Sequence, residues 1–168
     1  MFQLTRIYSV YTSCLRNTVL LMAGITGAGV MFMALATCTD IILRFAGHPV
    51  VGVFDLVRVA GAVSMAAALP YTTAVKGHVA IEYFFQKLGK KGRIAADTFS
   101  RVVSISFFAI LAWEAVQYGI KLKATGEVTP TLQLPLFWVP WIISLSCAVM
   151  ALVIFHNLLH PGKGLIKP

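Results

Sequence analysis

Acidic side chains are scarce here: Asp and Glu together number 6 in 168 residues. Charged residues of both signs reach only 12%, about half the share of an ordinary soluble domain, while apolar residues make up 58%. A water-soluble fold of this length has no means of hiding so much apolar surface, and a lipid-embedded one has no need to. Cysteine is also sparse. Cys14, Cys38 and Cys147 form no CxxC and are read as small apolar packing residues. No nucleophile–base pattern and no phosphate loop is present. "GITGAG" at 24–29 has the wrong glycine order for a dinucleotide loop, and no strand precedes it. A strand pattern and internal repeats are lacking as well. No cleavable signal peptide is expected, because the first apolar run is too long and no clean small-residue cleavage site follows it.

What is present is a set of long apolar runs. Asn17 to Thr39 holds 23 residues without a charge, enough for a helix across a hydrocarbon core of about 30 Å. Further spans are expected over 50–75, 94–120 and 136–159. Ala23, Gly24, Gly27, Ala28 and Gly29 in the first span suggest a close helix contact. Pro70 is expected to kink or loosen the end of the second, which neighbouring helices tolerate in a membrane. Trp138 and Trp141 open the last span as interfacial anchors. The expected fold is an all-α integral membrane protein, one domain over 1–168, with four transmembrane helices.

Fourteen basic residues give a formal charge of +8. Ten of them lie in the N-terminal segment, between spans two and three, or in the C-terminal tail. The positive-inside rule therefore puts both termini in the cytoplasm. The connector "TTAVKGHVAIEYFFQKLGKKGR" (72–93) is read as an amphipathic interfacial helix over 78–88. Ile81, Phe84, Phe85 and Leu88 share one face, and His78, Glu82, Gln86 and Lys90 share the other. Lys87, Lys90, Lys91 and Arg93 then meet lipid headgroups. His78 and Glu82 are two potential metal ligands where a stable site needs three or four, so no metal is expected. No nucleic-acid-binding fold accompanies the basic residues.

Few ionisable groups lie within the spans. Asp55 and Arg58 share a face at the start of the second and are expected to neutralise each other. Glu114, in the later half of the third, is read as a partner for Lys121 or for a backbone group at the interface. The histidines lie at helix ends or in loops, which disfavours haem. The residues thus describe a membrane protein without catalytic or transport machinery of its own, an accessory or scaffold subunit.

Several short pieces then fall in a recognisable order: Arg44 and Phe45 after the first span, Asp55 and Arg58 opening the second, "KGHVAIE" (Lys76 to Glu82), and "TLQLP" (Thr131 to Pro135) before the last. From Val19 to Leu159 the chain resembles the small membrane subunit, DctQ-like or Q subunit, of tripartite ATP-independent periplasmic (TRAP) transporters. It departs where relatives often carry a tryptophan and two adjacent acids, having Val53, Phe54 and the single Asp55, and where they often carry Asp in place of Glu82. The resemblance implies a fixed scaffold in a bacterial or archaeal cytoplasmic membrane. Its partners would be a large multi-span subunit, a periplasmic substrate-binding protein and membrane lipids. Uptake of a carboxylate or sulfonate would be driven by an ion gradient, usually sodium, with the sodium sites on the large subunit and no cofactor on this chain. Candidate structural or subunit-interface residues are Arg44, Asp55, Arg58, His78, Glu82, Phe84 and Phe85. The rival readings are a membrane anchor of a respiratory enzyme and a small ion-coupled exporter built on Glu114.

Overall fold

The structure, a computed structural model, describes residues 2–75 and 90–159. The interfacial helix expected over 78–88 lies outside the described residues. Among the described residues four helices follow one another: α1 (Phe2–Phe45), α2 (Val53–Ala74), α3 (Lys90–Thr125) and α4 (Trp138–Leu159). Each contains a segment long and apolar enough to cross a membrane: Tyr11–Phe45, Val53–Ala74, Thr98–Thr125 and Trp138–Leu158. The chain is a multi-pass, all-α membrane protein.

Two of the helices, α1 and α3, outrun the apolar runs that announce them. With 44 residues at 1.5 Å each, α1 is about 66 Å long, roughly twice a bilayer's hydrocarbon thickness. Glycines in the left-handed region stop α1 and α3. Gly47 (φ 80°) closes α1 with a Schellman motif, in which the His48 N–H donates to the Leu43 carbonyl (2.9 Å) and the Gly47 N–H to that of Arg44 (3.2 Å). Gly126 (φ 67°) closes α3 differently, its N–H (3.1 Å) and that of Glu127 (3.3 Å) both donating to the Leu122 carbonyl. α2 continues through Pro70, where a kink or loosening is expected, as far as Ala74.

The packing order is α1–α2–α4–α3. α1 and α3 do not meet among the described residues, and α1 touches α4 only sparingly. Leu15, Val19, Met22, Ala67, Ala74, Val149 and Val153 form the buried cluster where α1, α2 and α4 converge. The Tyr11 and His156 rings lie 6.0 Å apart beside it. Lipid tails solvate leucine as well as protein does, so close approach and interhelical hydrogen bonds must hold such helices together. Both are present. Gly29 lets α1 approach Ser64 of α2, where a Cβ would overlap the Ser64 hydroxyl, and the Thr26 hydroxyl donates to the Ser64 carbonyl at 3.2 Å. Gly119 of α3 lies against the Trp141 indole of α4, and the Ser144 hydroxyl donates to the Ala112 carbonyl at 2.7 Å. By contrast Gly24 and Gly27 face open space, so only part of the small-residue run expected at a helix contact is used within the chain. Of the three cysteines only Cys147 is buried, and Cys14 and Cys38 lie on exposed faces instead of packing.

Candidate functional site

Both membrane-embedded aspartates of the described region sit at one end of the molecule, where α1 ends, α2 begins and the 126–137 loop joins α3 to α4. Asp40 is buried near the C-terminus of α1. That is an unfavourable place for an anion, because the last carbonyls of a helix carry partial negative charge. Two donors compensate. Arg44, one turn on, reaches its carboxylate with Nη2 at 2.7 Å, and the Val50 N–H of the connecting loop donates to it at 3.0 Å. Asp40 therefore ties the end of α1 to the segment that leads into α2. Sequence reasoning missed it, although an acid four residues before Arg44 was the available signal.

Asp55 lies in the first turn of α2, where the helix dipole favours an anion. Its carboxylate accepts two backbone N–H groups of the distant loop, Thr131 at 2.9 Å and Leu132 at 2.8 Å. The expected Asp55–Arg58 pair is corrected by this geometry. Arg58 is exposed and adds only its field, while the contacts of Asp55 are with the "TLQLP" backbone. A carboxylate has lone pairs for several donors, and two adjacent N–H groups occupy one oxygen with a directed bond each.

The loop is itself built to present those amides. The Thr129 N–H donates to the Leu134 carbonyl at 2.9 Å, and the Leu134 N–H donates back to the Thr129 hydroxyl at 3.1 Å. That leaves the hydroxyl hydrogen to turn toward Asp55. Val128 and Pro135 pair as an isolated antiparallel bridge, and Gln133 takes a positive φ of 52° to turn the corner. Below the loop, Gly52 (φ 85°) precedes α2 and lies directly under the Leu132 side chain, which a Cβ at position 52 would overlap.

The remaining candidates are scattered. Arg44 is half exposed and paired with Asp40. Trp138 is part-buried at the start of α4, and Trp141 is partly exposed with Phe137 edge-on to its ring at 5.4 Å. Lys123 stands 5.9 Å above the Phe137 ring. Glu114 is exposed on α3 and makes no hydrogen bond or ion pair among the described residues, so the expected bond to Lys121 or the backbone is absent. Lys90, Lys91 and Arg93 lie in the first turn of α3. His78, Glu82, Phe84, Phe85 and Lys87 lie outside the described residues. No three His, Cys, Asp or Glu side chains converge among the described residues. The arrangement joins structural elements: two buried carboxylates hold three chain segments at one end of the molecule by their backbone amides.

The profile of one protein family, described as "Tripartite ATP-independent periplasmic transporters, DctQ component", matches residues 33–163, more than three quarters of the chain. No curated protein and no solved structure matched. The matched stretch contains Asp40, Arg44, Asp55, Glu114 and the whole 126–137 loop.

Proposed function

Because this chain belongs to the DctQ component family of tripartite ATP-independent periplasmic transporters, we propose that it is the small, fixed scaffold subunit of such a transporter. It works beside a large multi-span membrane subunit that holds the sodium and substrate sites. A periplasmic binding protein delivers a carboxylate or sulfonate to the pair, and a sodium gradient drives uptake. The chain lies in the cytoplasmic membrane with both termini inside, as the distribution of basic residues suggests. It carries no catalytic role and no cofactor.

One observation supports the scaffold reading above the others. The two buried acids at this end, Asp40 and Asp55, accept backbone N–H groups that bind one part of this chain to another. Ion- or proton-coupled sites instead place ionisable groups in a bundle interior or a water-filled cavity between helices. A chain spent on rigidity provides a stationary surface against which a partner moves. The test is uptake of radiolabelled small carboxylates and sulfonates by proteoliposomes under an inward sodium gradient, with the binding protein added. Uptake is expected only when both membrane chains are present. Undiminished uptake by the large chain alone would reject an essential scaffold role.

A further inference from the structure

The packing order leaves α1 and α3 each with one flank free. The two flanks differ chemically. The outward side of α1 presents Leu20, Gly24, Gly27, Met31 and Leu35, with no ionisable group between Asn17 and Thr39. Acyl chains can cover that side without leaving a polar group unsatisfied. The outward side of α3 is different. Its α4-facing stripe is marked by the Ala112 carbonyl, Gly119 and Leu122. At 3.6 residues per turn, Ser106, Ile110, Glu114, Gln117 and Lys121 fall on the opposite side. None of the most apolar window of α3 is buried, against half of that of α4.

Glu114 lies about 16 Å along the axis from the Thr125 end of α3, at 1.5 Å per residue. Its level is bracketed by two contacts with α4: Ser144 on Ala112, and Trp141 on Gly119. Glu114 thus lies well inside Thr98–Thr125, the part of α3 long and apolar enough to cross a membrane. A carboxylate on a lipid-facing flank at that depth has no donor from acyl chains, and such groups in spanning segments face protein or a water-filled cavity. Among the described residues nothing bonds to it, and Gln117 one turn on adds a second polar group to the same side.

Resting on the subunit reading above, we propose that the outward face of α3 is where the large membrane subunit seats a spanning helix, with a hydrogen-bond donor of that helix against Glu114. The face then combines apolar contact surface (Phe107, Ile110 and Trp113, all more than half exposed) with one carboxylate that fixes the depth and rotation of the incoming helix.

The experiment uses the full chain co-expressed with a tagged large subunit. A photo-reactive phenylalanine analogue is placed at Ile110 or, on the other flank, at Leu35. The expected result is a cross-link from Ile110 to the large subunit and none from Leu35. Glu114→Leu should lower recovery of the complex about threefold to tenfold, the range of one interhelical hydrogen bond in a bilayer, while Glu114→Gln retains most of it. The amount and thermal stability of the chain expressed alone should be unchanged by either variant. Cross-links from Leu35 alone, from Ile110 to a second copy of this chain, or from Ile110 to lipid alone overturn the inference and leave the subunit reading standing. So does full recovery with Glu114→Leu. A wild-type chain that retains no large subunit at all removes the subunit reading, and the inference with it.

Discussion

Asp40 and Asp55 solve one problem in the same way. Each carboxylate sits beside a chain reversal whose amides have no helical partner, and each accepts those N–H groups. Removing such an acceptor leaves part-buried donors without their protein partner. Asp55→Ala should therefore speed hydrogen exchange at Thr131 and Leu132 by about an order of magnitude or more. Asp55→Asn, which keeps an acceptor oxygen, should be milder. Adding Arg58→Ala to Asp55→Ala should restore nothing, and recovery in that double variant would show that the two charges act as a pair. Gly52 permits a sharper contrast. Its φ of 85° alone sets a cost of about 1–2 kcal/mol on any L side chain. The Leu132 side chain adds overlap there, whereas Gly126 at φ 67° faces open space. Gly52→Ala should lower the melting temperature in detergent more than Gly126→Ala, and Leu132→Ala should recover part of the difference. Asp55 was legible as an unusual acid because it interrupts an apolar run. Its partners were not, because periodicity relates residues on one helix and the bound amides lie 76 and 77 positions downstream. Asp40 escaped notice because the uncharged run was counted only as far as Thr39.

At the level of helices, α1 and α2 meet through Gly29 and Ser64. Gly29→Ala places a methyl group on the Ser64 hydroxyl, and overpacking of that kind costs about 1–3 kcal/mol. Gly29→Ala combined with Ser64→Ala should relieve much of it, and Gly24→Ala should be silent, since nothing lies within 4 Å of a Cβ there. Thermal unfolding of the three variants in one detergent checks this. Equal losses at Gly24 and Gly29 would contradict the packing. The four spans themselves could be read from hydropathy because a membrane helix must satisfy its backbone within one segment, so twenty apolar residues admit few other structures. Which glycine of a small-residue run touches a neighbour depends on helix rotation, and composition does not set that. The lengths of α1 and α3 were likewise underestimated: both begin before the apolar stretch, and at the other end helix continues past it until a left-handed glycine stops it.

Considered whole, four candidate spans, an even number, would bring both ends of the described region to one side of the membrane. Single cysteines at Gly126 and Gly164, in a background lacking Cys14, Cys38 and Cys147, should react with impermeant maleimide from opposite sides, with Gly126 on the periplasmic one. Labelling of both from the periplasm would break the assignment of sides. The side itself was read from lysine and arginine counts, a signal that depends on the membrane potential and lipid charge and not on any contact in the fold. The order α1–α2–α4–α3 carries one last implication. Among the described residues the four helices do not close on themselves and enclose no lumen: the buried positions are filled by Val19, Val153, Cys147 and their neighbours, and the two end helices stay apart. On the proposed subunit reading, a solute crossing beside this protein would be lined by another chain. Selections for altered substrate range should accordingly return changes in that chain, and changes recovered in α1 to α4 should alter rate or assembly for every substrate alike.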